Sequence, residues 1–299
     1  MTKPLGILEF GYIRPPDLHA YQVINSLFEE VSFYEELGYK RLWLSEHYSP
    51  EFAWFNPSML LPLLAGYSEK IRIGIAGILL SYHSSLLVAQ NFKLLSAVYP
   101  DRIDLGIAKA RIPPNTNKFL ISPEENERIP VEWERKINEL LFFIRNDEPE
   151  NEVLEKMVVP PHGTSLPEPW MLGASPFSMD LAIKERCNFC ISFMHPGSGF
   201  RANREVCRQF REKYFKAHGA LPIASALVPV ALIEDGERKT QFEVMYGNSP
   251  ETNIFGSREF VQDKVAELQQ QLDCDELVLF TPFWERERRM ETYACAIGK

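Results

Sequence analysis

The amino-acid sequence predicts an α/β fold in which eight parallel strands, each followed by a helix, close into a (β/α)8 barrel. Apolar runs of strand length alternate with segments of helical period as far as the C-terminus. These runs are continuously apolar, which is typical of parallel strands buried on both faces. A length of 299 residues suits one such barrel, so we expect a single domain over 1–299. A doubly wound open sheet is the alternative fold.

The strand candidates are residues 5–10, 41–46, 71–80, 102–108, 169–174, 188–194, 223–233 and 276–281. The helix candidates are residues 20–37, 57–68, 85–98, 131–145, 177–186, 201–217, 257–272 and 284–297. Three segments interrupt this alternation and are predicted to be long loops after the fourth and seventh strands, namely 111–130, 146–168 and 236–256. Loops of that length in a compact domain are usually functional or mobile.

Composition and charge narrow the class of partner. The formal net charge is -9, and the basic residues are interspersed with acidic ones, which argues against nucleic acid. No apolar run reaches the roughly 18 residues of a membrane span. Five cysteines and the lack of a signal-peptide pattern favour a reducing cytoplasm. The pair Cys187 and Cys190 has C-x-x-C spacing but lies in an apolar run, which favours a structural role over a metal or redox role. We therefore expect a small-molecule partner.

Titratable residues follow three of the predicted strands. Glu46, His47 and Tyr48 end the second strand, where active sites of such barrels are built. His83 follows the third strand and His195 the sixth, and for each a structural role is as plausible as a functional one. A metal site is disfavoured because the first strand carries no histidine.

The fifth strand ends in "LGASPFSMD", which has the features of an anion site. Gly173 and Ala174 allow close backbone approach, Ser175 suits an N-cap, and Ser178 adds a second hydroxyl. Exposed N–H groups at a helix start bind anions, although the same pattern also fits a merely well-capped helix. Lys109, after the fourth strand, is either a solvated lysine or the positive charge beside a phosphate.

In their order and spacing, several stretches together resemble the bacterial luciferase-like monooxygenases, which are flavin-dependent TIM-barrel enzymes. These stretches are "GYKRLWLSEHY", "IRIGIAGILLSYHSSLLVAQNFKLLSAVYPDRIDLGIAKA", "EPWMLGASPFSMDLA" and "IFGSREFVQDKVAELQQQLDCDELVLFTP". The resemblance covers nearly the whole chain. It implies the same barrel and a flavin site at the C-terminal ends of the strands.

The resemblance also implies residue roles. His47 falls on the histidine beside the flavin ring and is the expected acid/base group, with Glu46 orienting its neighbours. The residues implied to bind FMN are Ala76 and Gly77, at a non-proline cis peptide, together with Lys109, Gly173, Ala174, Ser175 and Ser178. The residues expected to line the substrate pocket, or the apolar wall that excludes water from it, are Phe10, Tyr48, Trp54, His83, Phe193, His195 and Phe283.

The chain departs from the family pattern at the same sites. Tyr48 replaces the second histidine of the Glu-His-His motif, Lys109 replaces the phosphate-binding arginine, and Pro176 replaces a glycine of the phosphate loop. Lysine lacks the bidentate fork of arginine. These departures predict weaker phosphate binding, or a contribution from Arg111.

The implied activity is that of a two-component monooxygenase. Reduced FMN would come from a separate flavin reductase, since no G-x-G-x-x-G fingerprint for NAD(P)H occurs in the chain. Molecular oxygen would add to the flavin as a 4a-hydroperoxide that oxidises an organic substrate. The short segment after strand seven suggests room for a bulky or carrier-bound substrate, and the family implies a homodimer. The alternatives are a deazaflavin-dependent hydride-transfer oxidoreductase and a non-catalytic flavin-binding subunit.

Overall fold

A computed structural model describes residues 3–110, 112–145, 158–194, 200–246 and 251–299. Eight parallel strands of these residues form a closed barrel, because the last strand pairs with the first as well as with the seventh. They are β1 (Leu5–Glu9), β2 (Arg41–Leu44), β3 (Arg72–Leu79), β4 (Ile103–Ala108), β5 (Glu168–Gly173), β6 (Asn188–Ser192), β7 (Ala224–Leu232) and β9 (Glu276–Phe280). The short β8 (Ile254–Gly256) pairs with the end of β7. The predicted (β/α)8 fold is confirmed.

Helices follow the strands. They are α1 (Ala20–Leu37), α2 (Leu61–Gly66), α3 (Ser85–Val98), α4 (Pro114–Asn117), α5 (Pro123–Arg145), α6 (Pro176–Lys184), α7 (Phe200–His218), α8 (Gly236–Tyr246), α9 (Arg258–Gln271) and α10 (Arg286–Ala296). Short 3-10 turns lie at Pro57–Met59 and Leu80–Tyr82. No helix in the described ranges has the length and apolar character needed to cross a membrane.

Two of the three segments predicted to be loops contain regular structure. The segment 111–130 includes α4 and the first turns of α5, which begins at a reciprocal cap. The Ser122 N–H donates to Glu125 at 2.8 Å, and the Glu125 N–H donates to the Ser122 hydroxyl at 3.2 Å. Pro130 lies inside α5 and does not end it. The segment 236–256 contains α8 and β8, while 146–157 lies outside the described residues.

The barrel interior contains a charged layer and an apolar layer. Open space remains at the C-terminal ends of the strands. At the N-terminal ends of the strands, Arg41 pairs with Asp104 at 2.5 Å and with Glu276 at 2.7 Å. The rings of Trp43 and Trp170 lie 5.2 and 4.5 Å from the Arg41 guanidinium and belong to an apolar cluster that fills the middle. These layers fill the N-terminal part of the barrel interior, and a cavity opens at the C-terminal ends of the strands.

The cysteines occupy core positions. All five are free and buried, and burial raises the pKa of Cys187 and Cys190 to about 12. A thiol with so high a pKa is a poor nucleophile and metal ligand at neutral pH. Among the residues that the structure describes, no group of three or more histidine, cysteine or acidic side chains is arranged to hold a metal ion.

Candidate active site

A cavity of about 620 Å³ opens at the C-terminal ends of the barrel strands. Its wall includes both predicted catalytic residues, all the residues predicted to bind the cofactor, and two of those predicted to contact substrate. These are Glu46, His47, Ala76, Gly77, Lys109, Gly173, Ala174, Ser175, Ser178, Phe10 and Tyr48. The structure therefore brings residues from β1 to β5 and their following loops around one space.

Other residues predicted to line the pocket lie elsewhere. The Trp54 indole N–H donates to the Ser45 carbonyl at 2.9 Å, and its ring packs on Gly11, where a Cβ atom would lie 2.4 Å from the ring. Gly11 also has a φ of 73°, so a glycine is required there on both counts. Phe193 and Phe283 are buried in hydrophobic clusters. These aromatic rings support the barrel and not the cavity wall, and His195 and Arg111 lie outside the described residues.

Glu46 is held by two hydrogen bonds at the boundary between cavity and core. One carboxylate oxygen accepts the Leu79 N–H at 3.0 Å, and the other lies 2.7 Å from the Nε2 atom of His83. Burial, together with the acidic neighbour Glu46, raises the pKa of Tyr48. His83 thus contacts Glu46 from behind the wall, where the sequence had suggested a contact with substrate.

His47 presents its imidazole to the open cavity. The ring lies 5.1 Å from that of Phe10 and 5.0 Å from that of Phe52. Solvent reaches the side chain through the cavity, yet the surrounding protein atoms lower its pKa by desolvation, which the Glu46 carboxylate opposes. The neutral imidazole therefore predominates at neutral pH, and it is able either to accept or to donate a proton.

The opposite side of the cavity has the features of an anion site. Ser175 is the N-cap of α6, and its hydroxyl accepts the Ser178 N–H at 3.3 Å and lies 3.1 Å from the Ser178 hydroxyl. A Cβ atom at Gly173 would lie 2.4 Å from that second hydroxyl, so only glycine permits this approach. The Lys109 ammonium lies nearby, 5.8 Å from the ring of Phe177 in the first turn of α6.

The wall between these two sides is formed by close strand packing. The peptide bond from Ala76 to Gly77 is cis, and the pairing of β3 with β4 shifts register at this point. A Cβ atom at Gly77 would lie 2.8 Å from Leu172 and 3.0 Å from Ala108. The glycine therefore allows β3, β4 and β5 to meet in a compact apolar wall.

The sequence reasoning missed several residues near the site. Leu8, Leu172, Met194 and Leu227 also line the cavity, and their alternate positions on predicted strands were the signal that could have identified them. Tyr12 and Phe52 form an isolated bridge beside Phe10 and His47, which no local pattern indicates. A second cavity of about 670 Å³ adjoins the first and shares Lys109, Ala110 and Ile112 with it. Its far wall is α4 and the start of α5, which the sequence had predicted to be a loop.

Comparison with known proteins identifies relatives along most of the chain. Residues 8–275 match the family described as Luciferase-like monooxygenase. The chain is 31% identical over 237 residues to N-acetyl-S-alkylcysteine monooxygenase of Bacillus subtilis, covering 75% of this chain and 68% of that protein. It is 29% identical over 209 residues to the uncharacterized protein YwcH of the same organism, covering 69% of this chain but only 61% of YwcH.

Solved structures share the fold at low identity. The crystal structure of apo-MsnO8 superposes with a TM-score of 0.81 at 23% identity, covering 99% of this chain and 97% of that one. The oxygenating constituent of 3,6-diketocamphane monooxygenase from Pseudomonas putida, solved with FMN, gives 0.73 at 18% identity over 100% and 98% of the two chains. An F420-dependent secondary alcohol dehydrogenase, solved with an F420-acetone adduct, also gives 0.73, at 12% identity over 98% of each chain.

The match over residues 8–275 accounts for most of the chain, and the barrel brings the residues implied to be catalytic or cofactor-binding around one cavity. The chain therefore belongs to the luciferase-like monooxygenase family.

Proposed function

We propose that the protein is a monooxygenase that takes reduced FMN as a cosubstrate from a separate flavin reductase and uses molecular oxygen to oxidise an organic substrate. The supporting observation is that one cavity joins an anion site, a compact apolar wall and an accessible histidine. The monooxygenase relative from Bacillus subtilis and the FMN-containing structural neighbour favour the same activity. We also propose a single domain and a cytoplasmic location.

The anion side of the cavity fits the phosphate of FMN. The hydroxyls of Ser175 and Ser178 at the start of α6 are donors to phosphate oxygens, whereas Pro176 has no N–H and the Ser178 N–H already donates to Ser175. Lys109 adds a positive charge, and no ion-pair partner of its ammonium is present among the described residues. Phosphate binding would therefore give this ammonium an ionic partner.

The remaining cavity fits a flat aromatic ring and a substrate. A volume of about 620 Å³ lies within the range of roughly 300–1,000 Å³ typical of cofactor and ligand pockets. Reduced FMN, when bound, supplies the electrons that activate oxygen. The apolar side chains exclude water, and His47 transfers a proton to or from the reacting groups beside Phe10.

Binding of reduced FMN tests this function directly. Purified protein is titrated anaerobically with photoreduced FMN or with reduced F420, and each complex is then mixed rapidly with oxygenated buffer. We expect tight binding of reduced FMN followed by oxygen-dependent formation of oxidised FMN. Binding of F420 alone, with turnover that needs no oxygen, would assign the protein to hydride transfer. If the protein binds neither cofactor, the hypothesis of a non-catalytic subunit remains.

The named relative and the second cavity suggest which substrates to test. We propose N-acetyl-S-alkylcysteines as the first compounds to test, because the similar enzyme of Bacillus subtilis is named for them. The adjoining cavity of about 670 Å³ would accommodate the part of a bulky or carrier-bound substrate that lies away from the flavin. Product analysis by mass spectrometry should show the gain of a single oxygen atom.

The Lys109→Met variant is expected to bind FMN about 10- to 100-fold more weakly, because a hydrogen bond to a charged group contributes roughly 1.5–3 kcal/mol. Affinity is measured by isothermal titration or by the change in flavin absorbance. Riboflavin, which lacks the phosphate, should bind wild type and variant equally. The matched control is Lys118→Met, an exposed lysine at the end of α4. Equal loss of FMN and riboflavin affinity would contradict the phosphate role.

We propose that the protein forms a homodimer through an exposed apolar surface on α2, on α3 and on the 3-10 turn that precedes α2. Met59, Leu63, Leu94 and Val98 are all exposed, and a groove of about 350 Å³ lies between the helices. Large apolar patches on soluble proteins usually mark interfaces, and a twofold contact buries the same patch from both copies.

The Leu94→Glu variant is expected to be monomeric at concentrations where the wild type is dimeric, because each interface would then bury two uncompensated carboxylates. Analytical ultracentrifugation measures the change. Leu221→Glu, at an exposed leucine before β7, is the control and should leave the dimer intact. A dimer of unchanged stability in Leu94→Glu would place the interface elsewhere.

A further inference from the structure

The imidazole of His47 is held in place by aromatic rings. Its ring centre lies 5.1 Å from that of Phe10 and 5.0 Å from that of Phe52, and these two phenyl rings lie 6.2 Å from each other. Among the residues that the structure describes, no group forms a hydrogen bond with either ring nitrogen of His47. Packing therefore sets the position of this ring, and the described residues leave both of its nitrogens to a ligand.

Phe52 owes its place beside His47 to a short antiparallel bridge. Two main-chain hydrogen bonds, of 2.9 and 2.8 Å, join residues 11–13, which follow β1, to residues 51–53. Tyr12 and Phe52 lie directly opposite each other between these bonds. Side chains of such a non-hydrogen-bonded pair approach closely, and the two rings lie 5.3 Å apart. The bridge thus fixes the phenyl ring that contacts the histidine.

The bridge is itself held from two directions. The Gly11 N–H donates to a carboxylate oxygen of Glu9 at 3.1 Å, and the ring of Trp54 packs against Gly11. From the other direction, the Tyr12 hydroxyl lies within hydrogen-bond distance, 2.9 Å, of the Tyr246 hydroxyl at the end of α8. The segment after β7 therefore supports the aromatic pair of the bridge, and through it the position of the imidazole.

Phe52 contacts the histidine from outside the cavity. The described wall of the cavity includes Phe10 and His47 but not Phe52, which is half-buried behind them. In this position the phenyl ring affects a ligand in the cavity through His47. Neighbours that shield an imidazole from water disfavour its charged form, which agrees with the lowered pKa of His47.

We propose that Phe52 is a positioning residue that keeps the His47 imidazole turned towards the cavity, an inference that rests on the proposed function. The phenyl ring blocks rotation of the imidazole away from the reacting groups, and Phe10 supports the same ring from the cavity side. A carboxylate bonded to one nitrogen, a common way to orient a histidine, would fix one tautomer. Aromatic packing orients the ring while both nitrogens stay able to donate or accept a proton.

The charges around His47 come from groups that Phe52 variants leave in place. Glu46 favours the imidazolium, and the phenols of Tyr12 and Tyr48 stay neutral because their pKa values are raised. The titratable groups on the elements around His47 are Glu9, Tyr12, Glu46, Tyr48, Glu51 and Lys109. A change in the titration of His47 in a Phe52 variant therefore reports the lost ring contact.

The first test measures the titration of His47 by NMR in the ligand-free protein, with His47→Gln to assign its signal. Phe52→Ala should raise the pKa of His47 towards its ordinary value, because water then reaches the imidazole. Phe52→Leu keeps more apolar bulk and should shift it less in the same direction, and Phe52→Tyr, which keeps the ring, should titrate as the wild type does. The matched control is Phe55→Ala on the same loop, since that ring contacts Tyr48 at 5.1 Å.

The second test asks whether Phe52 acts through His47. Single turnovers use N-acetyl-S-methylcysteine, a member of the class proposed above, and product is measured by mass spectrometry. Phe52→Ala should slow product formation about 10-fold, the upper end of the contribution of one aromatic contact, and Phe52→Tyr should restore the rate. Reduced FMN should bind Phe52→Ala normally, because Phe52 lies outside the described cavity wall. Added to His47→Gln, Phe52→Ala should cause no further loss, since residues that act as a unit are not additive.

The possible failures are distinguishable. An unchanged titration of His47 in both Phe52→Ala and Phe52→Leu would overturn the inference and leave the proposed function intact. A further 10-fold loss on adding Phe52→Ala to His47→Gln would also overturn it, because Phe52 would then act independently of His47. If the wild type does not oxidise the probe, the NMR titration alone decides the inference. Failure of the wild type to bind reduced FMN would refute the proposed function itself.

Discussion

The Asp104→Ala variant is expected to lose about 3–5 kcal/mol of unfolding free energy, the usual effect of removing one partner from a buried ion pair. Asp104 is buried and accepts hydrogen bonds from Arg41 at 2.5 Å, from the Trp43 indole at 2.8 Å and from Arg72 at 2.8 Å. Without the carboxylate, Arg41 would remain buried beside Glu276 alone, and two further donors would lose their acceptor. Urea denaturation followed by circular dichroism measures the loss.

The control for this prediction is Asp263→Ala, at an exposed aspartate on α9. Substituting both partners, as Arg41→Met with Asp104→Leu, should recover part of the stability because no unpaired charge then remains. Burial alone would raise the pKa of Asp104, but Arg41 and Arg72 outweigh it and the pKa is lowered. Its contribution is therefore present above the unfolded-state pKa and is lost as the pH falls through the folded value. An unchanged denaturation midpoint would show that the cluster adds no net stability.

The His47→Ala variant is expected to lower product formation about 10²- to 10⁴-fold, the range of general acid–base catalysis, while binding reduced FMN normally. The reason is that His47 faces the cavity beside Phe10 and does not belong to the anion site. Single-turnover reactions with a substrate found among the N-acetyl-S-alkylcysteines, analysed by mass spectrometry, give the rate. His47→Gln keeps a polar side chain of similar volume but cannot take up or release a proton near neutral pH. We expect it to form product as slowly as His47→Ala. Normal product formation by either variant would refute the role.

The pH dependence of His47 provides an independent check. Desolvation lowers the pKa of His47, and the Glu46 carboxylate opposes this by favouring the imidazolium. Removing the charge in Glu46→Gln should therefore lower the pKa of His47 further, so that the imidazolium forms only at more acidic pH. An NMR titration of the ligand-free protein measures this shift, with Glu259→Gln on the exposed face of α9 as the control. A rise in the pKa of His47 would contradict the assigned electrostatics.

The strand positions and the place of the candidate site at the strand ends could be predicted from the sequence. Runs such as "IRIGIAGILL" are apolar at every position, and burial on both faces is a local property that the pattern records directly. The change from an apolar run to Glu46, His47 and Tyr48 marks a strand end, because burial on both faces stops there. The Ser175 cap could be predicted because an N-cap involves residues only three positions apart.

Only the tertiary structure decided which side chains meet across strands. Glu46 and His83 are 37 positions apart and Lys136 a further 53 from His83, and no local period encodes their contacts. Trp54 and Phe193 carry the same aromatic character as Phe10, yet packing assigns them to the core and Phe10 to the cavity. Pro130 within α5 shows the same limit, because tertiary packing compensates for a residue that locally disfavours a helix. The sequence by itself determined burial and local caps, whereas barrel closure and register determined the hydrogen-bond network of the site, because these depend on contacts between distant segments.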